Sequence, residues 1–164
     1  MAALDICLWL ENTAPALWIR ESLYGFPIVV AVHILSLTLS VGLLVWFDLR
    51  LTGIAMARCS VSQLYRRLTP WMFSGFAFMV ISGLLLFAAY ATRAYENVYF
   101  RIKIATLLLA AINAAFFHFG IERHVARWDL AERPPFPARL AGIVSMIAWT
   151  IVILAGRMMS YTMF

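Results

Sequence analysis

Charge is scarce in this chain. Only 13% of its 164 residues are Asp, Glu, Lys or Arg, while 64% are hydrophobic, with a mean hydropathy of +0.88. Water-soluble domains carry about 25% charged and about 45–50% apolar residues. This shortage excludes a disordered chain, which needs low hydrophobicity and high net charge. It points to a polytopic membrane protein. Cysteine is nearly absent too. Cys7 and Cys59 form neither C-x-x-C nor C-x-x-C-H, so covalent c-type haem attachment is excluded. A positive leader is lacking as well. "MAALDICLWLENTAPALWIRE" has Arg20 as its one cation, against Asp5, Glu11 and Glu21. It does not read as a cleaved secretory signal. The sequence contains no G-x-G-x-x-G, P-loop, H-E-x-x-H or G-x-S-x-G. No carboxylate is expected at mid-membrane, which argues against an acid relay, and no ring of charges suits a conduction path.

What the chain has is long apolar runs. A helix needs about 20 apolar residues to cross hydrocarbon. Four segments qualify: 24–47, 70–91, 102–121 and 140–164. Pro27 falls in the first turn of its span and Pro70 opens the second, where a missing N–H does least harm. Residues 3–22 mix apolar and acidic side chains around Pro15 and predict one or two short helices on the outer surface. The expected fold is all-α: an up-down-up-down bundle of four spans with an amphipathic N-terminal segment, in a single domain over residues 1–164.

Loop charge gives the expected orientation. Arg50, Arg58, Arg66, Arg67, Arg123, Arg127, Arg133 and Arg139 fall on one side; Arg20, Arg93, Arg101 and Lys103 fall on the other. The positive-inside rule then places both termini outside, in the periplasm for a bacterial inner membrane. The formal charge of +5 is accounted for by these loops, so nucleic acid is not expected as a partner. The cysteines fall on opposite sides and are not expected to pair. Arg50, next to Asp48 at the inner end of the first span, is expected to meet lipid phosphate, with Gly53 closing the helix.

Lipid tails are as apolar as leucine, so spans pack through small residues. Ser36 and Ser40 serve this in the first span, and Gly75, Ser82 and Gly83 in the second. Ala110, Ala111, Ala114 and Ala115 do so in the third, and Gly142, Ser145 and Gly156 in the fourth. Intramembrane polar side chains usually face the bundle. His33, Asn113 and His118 therefore call for an account. From the outer side they lie roughly 14, 16 and 24 Å deep at 1.5 Å per residue. A helical wheel turns His118 about 140° from Asn113. One reading is structural, with Asn113 hydrogen-bonding His33, and Ser36 and Ser40 on the same side. The sharper reading makes His33 and His118 ligands of a metal centre, most simply a b-type haem, with Met79 or Met146 as other partners for His118. Copper is an alternative. Arg157 either snorkels to headgroups or meets a haem propionate or quinone head.

Four stretches carry a resemblance: "WIRESLYGFPIVVAVHILSLTLSVGLLVWFDLRLTG", "RLTPWMFSGFAFMVISGLLLFAA", "NVYFRIKIATLLLAAINAAFFH" and "ARLAGIVSMIAWTIVILAGRMMSY". Together they resemble a family of uncharacterised bacterial four-helix integral membrane proteins, from about Trp18 to Tyr161. More distantly the chain is similar to copper-resistance D-type and b-type cytochrome bundles. These readings lead to an expected small electron-transfer membrane subunit, with no bond-making chemistry by side chains. The alternatives are a structural or accessory subunit of a respiratory or photosynthetic complex, and a copper or small-solute transport component. Membrane lipid and other membrane subunits are the expected partners.

Overall fold

The computed structural model describes residues 2–163, which are helical almost throughout, with no strand among them. The helices are α1 Ala2–Glu11, α2 Ala14–Glu21, α3 Gly25–Thr52, α4 Val61–Ala89, α5 Ala91–Glu96, α6 Val98–Phe116 and α7 Phe136–Met163. Beyond α6 the chain continues as a π-helical turn, Phe117–Ile121, and a 3-10 segment, Glu122–Arg127. Four helical stretches are long and apolar enough to cross a membrane: Gly25–Thr52, Val61–Ala89, Val98–Arg127 and Phe136–Met163.

These helices outrun the expected spans. Pro70 does not open the second; it lies inside α4, which starts at Val61. Hydropathy marks hydrocarbon, whereas capping marks the helix start. Ser60 Oγ accepts from Gln63 N at 3.2 Å, and the Asp129 carboxylate accepts from Ser62 N at 2.7 Å. α4 therefore begins among polar residues and carries Arg66 and Arg67, both exposed, before its apolar stretch.

α3 packs on both α4 and α7, and α6 packs on α7. Small residues make the crossings close. A Cβ at Gly75 would stand 3.0 Å from Ser40 N and 3.1 Å from Ser36 O, so α4 lies directly on the α3 backbone. A Cβ at Gly142 would stand 3.0 Å from Asp48 O. Ser36 and Ser40 turn their hydroxyls back into α3, donating to Val32 O (2.7 Å) and Ser36 O (2.9 Å). Their polarity is satisfied locally, which leaves a flat surface for Gly75. Val41, Met79, Trp149 and Val152 form the middle of the core.

Arg50 corrects one expectation. It does not reach lipid phosphate; it is fully buried. Its Nε donates to Cys59 O (2.7 Å), and its second terminal nitrogen to Ala131 O (3.1 Å) and Asp129 O (3.4 Å). The guanidinium fork thus joins the α3–α4 and α6–α7 connections at one end of the bundle. The lipid reading failed because hydropathy counts Arg50 as a loop charge, whereas the two connections fold over it and supply carbonyls. Gly53 ends α3 in the left-handed region at φ +77°, as its glycine predicts. Beside it, burial alone would raise the Asp129 pKa. Hydrogen bonds from Ser60 Oγ and from Ser62 N and Oγ, with the nearby Arg50 charge, hold it below the usual carboxylate range instead.

The opposite end gathers α1, α5, the start of α6 and the end of α7. Glu11 accepts from Thr92 N (2.8 Å) and Thr92 Oγ1 (2.7 Å), tying α1 to α5. Asn97 Nδ2 donates to Thr162 Oγ1 at 2.8 Å, tying the start of α6 to the end of α7. Cys7 is buried at this end, Cys59 is exposed at the other, and both are free thiols.

Candidate functional site

Among the described residues, α4 and α6 do not pack on each other along their length. A cleft of about 530 Å³ lies between them, within the usual range for small-molecule sites. Met72, Phe73 and Phe76 wall it from α4; Ala110, Ala111 and Ala114 wall it from α6. Its floor comes from α3 and α7, where Ser40, Asp48, Ser145 and Trp149 lie. Phe76 and Trp149 meet edge to face, with ring centroids 6.5 Å apart. At the terminal end the gap is closed by Phe87 and Phe100, whose rings stack 5.1 Å apart. At the other end Phe47 and Phe117 meet at 5.7 Å.

Asp48 is the polar feature of this floor that hydropathy missed. It is only 3% exposed, one turn inside the end of α3, and its Oδ2 has no hydrogen-bond partner. The Ser145 hydroxyl reaches the carboxyl from α7. Buried polar atoms in native proteins are nearly all paired, so an orphaned carboxylate oxygen beside a cleft is informative. The signal was present in the sequence. Ser40, Leu44 and Asp48 fall on one stripe at intervals of four, so Asp48 continues the core face of α3.

The histidines part company. His33 Nδ1 lies 3.0 Å from Ser82 Oγ, and Ser82 gives its own proton to Phe78 O at 2.6 Å. With the Ser82 proton so placed, His33 Nδ1 is the donor. Gly83 makes room for the ring: a Cβ there would stand 3.1 Å from His33 Cε1. Asn113 does not pair with His33. Its Nδ2 donates to Ala141 O at 3.0 Å, joining α6 to α7. His118 pairs with Glu122 at 2.6 Å and lines the cleft, as Asn113 does. The wheel had set these two on different faces. The π turn at 117–121 changes the angle per residue, and the cleft is wide enough to take both.

Phe117, next to His118, touches Phe47, which is fourteen residues along α3 from His33. The two histidines are thus about 21 Å apart along the bundle. One iron cannot be bound by both. Met79 lies against Ser40, at 3.9 Å, within the α3–α4 contact. Arg157 is exposed, with its guanidinium 4.8 Å from the Tyr161 ring and donating to Tyr161 Oη at 2.8 Å. Among the described residues no three His, Cys, Asp or Glu side chains come together to hold a metal ion.

Lys103 was read as loop charge, yet it belongs to the bundle. It is partly buried on α6, and its Nζ stands 3.9 Å from where a Cβ of Gly156 would be, on α7. Its spacing gave the signal: Lys103, Leu107, Ala111 and Ala114 share one face of α6.

Comparison with known proteins adds the lineage but no activity. No curated protein and no solved structure matches the chain, and the distant likeness to copper-resistance and cytochrome bundles gains no support. A family model does match, over residues 5–162, nearly the whole chain. This protein with four candidate membrane-spanning helices belongs to a family of unknown function, DUF6644.

Proposed function

We propose that this protein is a multi-pass membrane subunit that takes a lipophilic small molecule sideways from the bilayer into the cleft between α4 and α6, without bond-making chemistry by its side chains. The observation that carries the reading is the separation of α4 from α6 beside a hollow of about 530 Å³. In a bundle that only had to be stable, packing would draw the four helices together. Here the facing sides of α4 and α6 carry aromatic and small apolar residues that suit a ligand.

The electron-relay reading through a haem ligated by both His33 and His118 is not carried forward. It needs both imidazoles on one iron, and they lie about 21 Å apart.

Native mass spectrometry of protein released from its own membranes tests the cleft. Wild-type protein is expected to carry a lipophilic adduct. Ala114→Trp, which fills the cleft, is expected to lose it, while Leu108→Trp, on an exposed position, keeps it. No adduct on the wild type, or equal adduct on Ala114→Trp, would sink the reading.

The chain is oriented with both termini outside, because the ends of α3, α4 and α7 that carry most of the arginines belong on the cytoplasmic side of a bacterial inner membrane. Cys59 reports this directly, since it is exposed while Cys7 is buried. An impermeant maleimide should label inverted vesicles and leave intact spheroplasts unlabelled; the reverse pattern inverts the topology.

A further inference from the structure

Among the described residues, Lys103 is a partly buried cation that neither packing nor pairing explains. Among the described residues its ammonium meets no carboxylate, and the ion pairs present are Arg20–Glu11 and His118–Glu122. Intramembrane lysines normally snorkel out to the headgroups. This one is partly buried instead, with its Nζ beside Gly156 of α7. It is not itself a lining residue of the cleft; it lies one helical turn from Leu107, which is. Three residues before it, Phe100 stacks on Phe87 and closes the gap. Four residues after it, Leu107 lines the cleft.

The geometry points to a ligand with a carboxylate head and a single hydrocarbon chain, a long-chain fatty acid, whose head rests on Lys103 and whose chain runs down the cleft past Leu107, Ala111 and Ala114. This rests on the reading of the cleft as a lateral ligand site and names the class of molecule. The charge complementarity is one to one: a single ammonium with a single carboxylate. A phosphodiester with two chains would need a wider gap than one groove between two helices. The chain's path is the small-residue face of α6, where alanines leave room that larger side chains would fill. An unpaired ammonium in an apolar setting is costly, and the carboxylate removes that cost. Only a charged ligand does so, which is why the head group decides the affinity.

The test uses quenching of Trp149, which lines the cleft. The probes are dibromostearate and its methyl ester, titrated onto the full chain in phosphatidylcholine nanodiscs, with Trp149→Phe to identify the signal. The acid is expected to bind about tenfold more tightly than the ester, the scale of a hydrogen bond to a charged group. Lys103→Met should bring the two within about twofold of each other, and Lys103→Arg should keep the preference. Equal binding of acid and ester to the wild type overturns the carboxylate proposal but leaves the cleft standing. So does a preference that survives Lys103→Met, or phosphatidylglycerol displacing the acid. If neither probe quenches Trp149, the cleft reading fails together with this one.

Discussion

Arg50→Met should lower the stability of the folded protein by about 2–4 kcal/mol, the cost of unpairing buried groups from a charged donor. The wild-type guanidinium is fully buried and serves carbonyls of Cys59, Asp129 and Ala131, which come from two separate connections. Methionine fills much of the space but donates nothing, so three carbonyls lose a charged partner at once. Arg50→Lys should recover less than half of the loss. An ammonium is a compact charge on a flexible stem and lacks the planar fork that spans both loops. Unfolding by SDS in bicelles, followed by circular dichroism, measures all three proteins. A loss below about 0.5 kcal/mol for Arg50→Met, the range of an ordinary surface change, would show that the staple does not hold the loops.

Gly75→Ala should be the other severe change, at about 1–3 kcal/mol. The new methyl would press on backbone atoms of Ser36 and Ser40, which cannot swing aside as a flexible side chain can. α4 must lift from α3 along their longest contact. Gly142→Ala should act in the same way on the α3–α7 crossing, against Asp48 O. Gly42→Ala is the control. Nothing stands within 4 Å of a Cβ there, so alanine should be neutral or stabilising by about 0.5–1 kcal/mol through its better helix propensity. The same unfolding assay applies. Equal effects at positions 75 and 42 would mean that close approach does not govern this packing.

Much of the architecture was legible because hydrocarbon is a severe solvent. Four apolar runs and their arginine-bearing connections follow from composition alone, since an unpaired backbone cannot cross a membrane except as helix. The small-residue faces were equally readable, because only glycine, alanine and serine let backbones approach. Gly75 against Ser36 and Ser40 is what that rule implies. Pro70 was less readable. The sequence shows where apolar residues begin, but the helix starts at Val61, behind its cap Ser60, which Asp129 from a distant loop holds in place.

The tertiary structure alone decided which polar groups meet. His33 on Ser82, Asn113 on Ala141, and Arg50 over two loops are long-range pairings, and the sequence gives depth but no azimuth between helices. The π turn after Phe116 alters the phase of α6 just before His118, a change no regular wheel contains. The cleft is also a tertiary fact. The residues lining α4 and α6 would read the same in a tightly closed bundle, and only the packing of α3 on both α4 and α7 leaves those two helices apart. Solvent selects the helices one by one, each from its own residues; the spaces between helices depend on how all four are packed at once.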